Sequence, residues 1–247
     1  MAGENWYELA VRLEGDIIHN FLSYFFKYYC PSQSTIPPLS IERRTVLTSD
    51  TFCKKYNSLL YPVQSPELPL VFLSRGPSRW GALPFARVTT PTIFQVQAIT
   101  RARQSIFIQT PNLNSRALLK ALRQALRNQI EVTLYLPRHM MVLESLVTGW
   151  TTTAWCVRRL QKFSKKVGGR LIVEWFEGDP GQGFVAEKSH VKFMVVDEEC
   201  VMVGSSNCDR ASACTSGEIN VAISDPEFAK SIFSVVKRHQ ATGNMES

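Results

Sequence analysis

The sequence predicts an α/β fold in which helices cover a sheet, and three observations carry that expectation. From residue 92 onward helical and strand-like stretches alternate: 92–103 helical, 105–110 strand, 115–127 helical, 130–136 strand. The helical stretches repeat apolar residues every three or four positions, whereas the strands are short apolar runs. A 247-residue chain with 45% hydrophobic and 20% charged residues has the material for a proper core. Alternation of this kind favours layered α/β packing over a helical bundle or a β-sandwich.

At the N-terminus, Glu4, Glu8 and Glu14 interrupt the apolar residues, so the basic start and apolar run of a signal peptide are missing. Residues 16–29 place Ile17, Ile18, Phe21, Leu22, Phe25 and Phe26 at helical spacing, in a stretch too short to span a bilayer. With few basic residues on its polar face, this helix is expected to pack on a core and not to lie on a membrane. Pro31 and the Ser/Pro-rich run to Pro38 end it. Residues 36–90 are rich in proline and hold a predicted short helix at 50–60, capped by Ser49 or Asp50, and a strand at 70–73. The run from Arg75 to Gly81 reads as a loop, either a solvated connector or a substrate-contacting segment.

A helix over 92–103 follows Pro91, and the strand 105–110 runs into Pro111-Asn112-Leu113-Asn114. That turn can place Gln109, Asn112 or Asn114 at a sheet end as substrate contacts; ordinary turn hydrogen bonding explains the amides equally well. Residues 115–127 form the clearest amphipathic helix, with Leu118, Leu122 and Leu126 on one side and Arg116, Lys120, Arg123 and Arg127 on the other. A further helix is expected over 140–166, ending in Arg158, Arg159, Lys162, Lys165 and Lys166. These cations suit the helix dipole, or alternatively a phosphate-rich surface. Gly168-Gly169 stops that helix before a strand at 170–176, and the loop 177–183 leads toward the most informative part of the chain.

Val191, Phe193 and Val195, then Val201 and Val203, read as two short strands around the acidic turn Asp197-Glu198-Glu199. His190 and Lys192, two apart on the first strand, project from one face. The second strand ends in Gly204-Ser205-Ser206-Asn207, where a small residue admits close backbone approach and the following ones offer hydroxyl and amide groups. Paired, the strands bring His190, Lys192, Ser205 and Asn207 to one sheet end suited to a phosphate. There an imidazole can attack phosphorus or pass a proton, Lys192 can neutralise phosphoryl charge, and Asn207 can donate hydrogen bonds. Residues 219–223 read as a last strand and 226–239 as a closing helix.

His190, Lys192, Asp197, Gly204, Ser205 and Asn207 satisfy the pattern His-x-Lys, four residues, Asp, six residues, Gly-Ser-x-Asn. It resembles the HKD signature of the phospholipase D superfamily, and Asp209 to Glu218 resembles the segment after the second motif in the double-motif microbial branch. The resemblance implies a phospholipase D-like lobe, a mixed β-sheet flanked by helices on both faces. It implies His190 as nucleophile or acid, Glu218 as the residue orienting it, Lys192, Ser205 and Asn207 as phosphate ligands, and a structural role for Asp197 and Gly204. The chain departs from that branch at Ala213, where an aromatic is usual, and at Gly217, where glutamine is usual. Both departures remove bulk near the site.

Residues 7–18 resemble, more weakly, the segment after a first HKD motif in double-motif members. The implied organisation is a first-lobe remnant at 1–48, an inter-lobe connector at 49–90, a catalytic lobe at 91–240 and a tail at 241–247. Double-motif members pair two HKD motifs, attack through one histidine to form a phosphohistidine, and need no metal or cofactor. One motif per chain therefore implies a homodimer or a second HKD lobe. The expected activity is a phosphodiesterase or phosphatidyl transferase on phospholipid; the other reading is a lobe that binds anionic lipid or nucleic acid without turnover, or a nuclease. A net charge of +7 agrees with any anionic partner, including peripheral membrane contact. Six cysteines without close pairing read as reduced thiols of an intracellular protein, cytoplasmic or peripheral on a membrane.

Overall fold

The computed structural model describes residues 6–7, 9, 11, 13, 15–29, 68–77, 89–137, 152–176 and 188–241. In chain order these form β1 (Trp6–Tyr7), α1 (Ile17–Tyr29), β2 (Leu70–Arg75), α2 (Thr90–Arg101), β3 (Ser105–Gln109), α3 (Arg116–Arg127), β4 (Glu131–Pro137) and α4 (Thr153–Val167). β5 (Leu171–Phe176), β6 (Lys188–Ser189), β7 (Phe193–Val196), β8 (Cys200–Gly204), α5 (Arg210–Cys214), β9 (Glu218–Ser224) and α6 (Pro226–Ala241) complete them.

Seven strands build one mixed sheet in the order β2-β9-β8-β7-β3-β4-β5, and β1 pairs separately with β6 in parallel. β3, β4 and β5 run parallel, joined by the crossover helices α3 and α4; the other four strands alternate in direction. Because strand side chains alternate between faces, the central strands feed two cores. Ile106 and Ile108, Leu134 and Leu136, and Met194 and Val196 pack under α2, α3 and α4. Phe107, Tyr135, Phe193 and Val195 face the other way, against Phe228, Ala229 and Phe233 of α6. The sheet is thus covered by helices on both faces, and its central strands read as near-continuous apolar runs because neither face meets water.

The structure revises several expected boundaries. The helix expected over 140–166 begins at Thr153: Thr152 is extended, at φ −72° and ψ 155°, and its hydroxyl caps the helix by accepting from Trp155 N. Residues 138–151 lie outside the described residues, as do the expected helix at 50–60 and the loop at 177–183. The stretch expected to be a connector contributes β2, the edge strand, which pairs antiparallel with β9 along Leu70–Arg75. Arg75 therefore belongs to a strand, in register with Glu218, and not to a loop. α1 lies against that edge, with Phe21 edge-on to Phe72 at 4.7 Å and the Tyr24 hydroxyl donating to the Arg75 carbonyl at 2.7 Å.

Candidate active site

β7 is the organising strand. At its far end Asp197 and Glu198 turn the chain with φ of 55° each, a left-handed geometry that non-glycine residues adopt only when something holds it. The Asp197 carboxylate holds it, accepting from the backbone N–H of Arg103, Gln104 and Ser105 at 2.9, 2.8 and 2.9 Å. Asp197 thereby ties the β7–β8 turn to the start of β3.

At the near end, Phe193 is paired with both Gln109 of β3 and Val203 of β8. His190 and Lys192 sit just before it, in the segment between β6 and β7 and not within a strand as expected. The alternation survives: Val191 is buried at 2% exposure between the half-buried His190 and Lys192. The Lys192 ammonium donates to the His190 carbonyl at 2.7 Å, which pins the cation beside the backbone of the histidine. On the preceding residue, buried Ser189 accepts from Gln109 Nε2 at 2.9 Å, fixing the segment to β3.

Gly204 ends β8 where β9 approaches most closely. A Cβ there would strike the Ile219 carbonyl and stand 2.5 Å from Asn220 Cα, so only glycine lets the two backbones meet. This places Ser205 beside Glu218. The Ser205 hydroxyl donates to Glu218 Oε2 at 2.5 Å and accepts from Ile219 N at 2.9 Å. Glu218 itself is 5% exposed, a buried carboxylate at the mouth of the sheet.

Asn207 is less free than expected for a phosphate ligand. Its amide donates to Asp209 Oδ2 at 3.1 Å, its backbone N–H donates to Ser212 Oγ at 3.0 Å, and its Oδ1 is buried without a hydrogen-bond partner among the described residues. Asp209, which also caps α5 through Ser212 N at 2.8 Å, is the residue that positions it. Of the three amides expected at the sheet end, Gln109 donates to Ser189 and Asn114 Oδ1 accepts from Arg210 N at 2.8 Å. Gln109 is 1% and Asn112 5% exposed. Gln109 nonetheless lines one cavity with Lys192, Phe193 and Gly204.

Residues that sequence reasoning passed over hold this end together. Asn220, 2% exposed, exchanges bonds with Ser206: Ser206 N donates to its Oδ1 at 3.2 Å and its Nδ2 donates to Ser206 Oγ at 2.7 Å. A single amide inside the apolar run of β9 was the available signal. Thr110 Oγ1 accepts from Cys208 N at 3.1 Å, and burial pushes the Cys208 thiol up to about 12, so it is inert packing. Arg75 donates through Nη2 to the Cys214 carbonyl, while its Nη1 is buried without a hydrogen-bond partner among the described residues. A Cβ at Gly217 would stand 2.8 Å from the Tyr24 hydroxyl, so the bulk absent at that position is replaced by α1. Among the described residues no cluster of three or more His, Cys, Asp or Glu could hold a metal.

The site thus comprises an imidazole and an ammonium ahead of β7, a serine and an amide after β8, and a buried carboxylate opening β9. The arrangement and its sheet define a phospholipase D-like fold. The same fold occurs in NucT from Helicobacter pylori, at TM-score 0.52 and 15% identity, covering 72% of this chain and 98% of that one. It also occurs in phosphatidylserine synthase from Haemophilus influenzae Rd KW20, at TM-score 0.51 and 16% identity, covering 71% and 38%.

Residues 96–239 match the family described as cardiolipin synthase, PLD-like domain; this is more than half of the chain, which therefore belongs to that family. Curated relatives include the major cardiolipin synthase ClsA of Bacillus subtilis, 31% identical over 146 residues, 58% of this chain and 26% of the relative. Cardiolipin synthase A of Cronobacter sakazakii is 29% identical over 139 residues, 56% of this chain and 25% of the relative. The matched region spans about a quarter of the length of these relatives.

Proposed function

We propose that the chain is a phospholipase D-type phosphodiester transferase or hydrolase acting on phospholipid, with its complete site formed by two HKD lobes. The observation that carries the proposal is the convergence at one sheet end of the His190–Lys192 segment with the bonded pair Ser205–Glu218. In this reading the His190 imidazole lone pair attacks phosphorus. A P–N bond forms, the P–O bond to the departing alcohol breaks, and that alcohol takes a proton from the histidine of the opposing lobe. That histidine, now neutral, accepts a proton from water or an acceptor alcohol, whose oxygen attacks phosphorus and releases His190. Lys192 neutralises charge on the phosphoryl oxygens, and Glu218, buried and bonded to Ser205, holds the orienting position for the imidazole.

The chain's single motif requires a partner for this chemistry, and a second copy related by a twofold axis supplies it most simply. The relatives named as cardiolipin synthases favour phospholipid over nucleic acid as the diester. The test is turnover of a soluble chromogenic phosphodiester by the purified chain beside His190→Ala, over a range of protein concentrations. Activity rising more than linearly with concentration, and absent in the variant, supports a site shared between copies. Equal rates in both proteins would sink the assignment of His190. No turnover in either at any concentration would reduce the chain to a lobe that binds without reacting.

A further inference from the structure

We propose that the helical layer α2–α3–α4 is a docking surface for an anionic phospholipid bilayer. Its charge is the first observation. α2 contributes one basic residue, α3 four and α4 five, with no acidic residue on any of them, against +7 for the whole chain. The rest of the chain is therefore net negative, and the positive field is concentrated on one face. On the opposite face, α6 carries Glu227 with Lys230, Lys237 and Arg238, so it is less strongly basic than α3 or α4.

The apolar residues on this layer are the second observation. Ile93 is 45% and Trp155 44% exposed, two of six exposed large hydrophobic side chains among the described residues, the other four lying on α1 and β2. Ile93 and Trp155 both lie in the first turns of their helices. Those turns sit at the end of the sheet where β3 finishes, because α2 and α4 run back against β3, β4 and β5. This is the end that carries His190 and Lys192. A tryptophan and an isoleucine on a basic helical layer fit the boundary between lipid headgroups and acyl chains.

Single-stranded nucleic acid fits less well. Its sequence-tolerant binding depends on free aromatic faces for base stacking. Here Arg159 lies 4.6 Å from the Trp155 ring centroid, and Arg127 and Arg123 lie 5.1 and 6.0 Å from that of Phe163. Each of these rings already has a guanidinium within cation–π distance of its face.

The inference is independent of turnover, so it is tested by binding alone. The full chain is sedimented with vesicles of phosphatidylcholine, with or without about one-third phosphatidylserine, beside Lys120→Ala/Lys162→Ala/Lys166→Ala and the control Lys230→Ala/Lys237→Ala. Wild type and control bind the anionic vesicles and not the neutral ones. The triple variant binds roughly a hundredfold more weakly, as expected when each cation at an anionic surface contributes about fivefold. Alanine favours helix, and matching thermal melts show that the triple variant is folded. Brominated lipid quenches the fluorescence of wild type more than that of Trp155→Phe. Equal vesicle binding by the triple variant overturns the proposal, as does wild-type binding to neutral vesicles with the same affinity. Failure to bind vesicles, with oligonucleotide binding that the triple mutation removes, would reassign the layer to nucleic acid. A triple variant that does not fold is replaced by Lys162→Ala and a salt titration, whose slope must fall relative to wild type.

Discussion

The β7–β8–β9 meander carries a carboxylate at each end of the sheet, Asp197 after β7 and Glu218 opening β9, and the two are held differently. Asp197 at the far end is saturated: three backbone N–H groups converge on it and fix the register of β3 against β7. Glu218 at the near end is buried, yet it is bonded to a side-chain hydroxyl that sits at the surface. A carboxylate held by backbone has no freedom to serve a substrate. One held by Ser205, in register with Arg75 and at the sheet end that carries His190 and Lys192, is proposed to respond when an anion arrives. One end of the meander is thus a structural lock, and the other holds the carboxylate of the proposed site.

The comparison breaks first at Lys192. Replacing it by alanine removes a positive charge from the phosphoryl position, and loss of one such stabilising group costs about a hundredfold to a thousandfold in kcat. The hydrogen bond it donates to the His190 carbonyl is local, two residues away, so the thermal midpoint should stay near wild type. A variant with unchanged kcat but a lowered midpoint would move Lys192 to the architectural side.

Asp197→Ala should show the reverse. It strands three N–H donors and releases two residues from the left-handed conformation that the carboxylate stabilises. The expected cost is about 2–4 kcal/mol of unfolding free energy, measured by urea titration, since hydrogen bonds to a charged acceptor are worth more than neutral ones. The folded fraction should turn over substrate with normal kcat. Selective loss of kcat at full stability would erase the distinction between the two ends.

The motif end was legible from sequence because its chemistry is written in adjacent positions: residue types at fixed spacing, on strands whose apolar alternation is visible. The Asp197 turn was legible for the same reason. The parts that stayed hidden depend on contacts between distant residues. Arg75 looked like loop because Gly76-Pro77 comes next, yet pairing with β9, far along the chain, extends β2 through it. Asn207 offered an amide in the expected place, but Asp209 two residues on competes for its N–H. Gln109 and Asn112 carry groups that can bind phosphate, and only the fold shows how deeply they are buried. Thr152 resembled another residue of a long helix until its hydroxyl was seen capping α4. Gly217 reads as a loss of bulk in isolation; in the fold it is the space that Tyr24 requires.

That last contact provides the smallest and most selective test, because it asks whether α1 belongs to the near end. Burial first, then the negative charge of ionised Tyr29, Tyr28 and Glu218, pushes Tyr24 up to about 12 from its ordinary 10.0. A raised folded-state value means that the unfolded chain loses its proton first. Stability linked to Tyr24 is therefore complete below pH 10.0 and is lost as the pH rises to about 12. Tyr24→Phe cannot ionise, so its urea midpoint should fall less steeply than that of wild type across this window. At neutral pH it should lose only about 1 kcal/mol, for the hydrogen bond to the Arg75 carbonyl. Equal alkaline slopes would place Tyr24 in water and detach α1 from Glu218. A flatter slope would make the N-terminal helix part of the wall around the carboxylate, so the near end of β7 would be built from both ends of the chain.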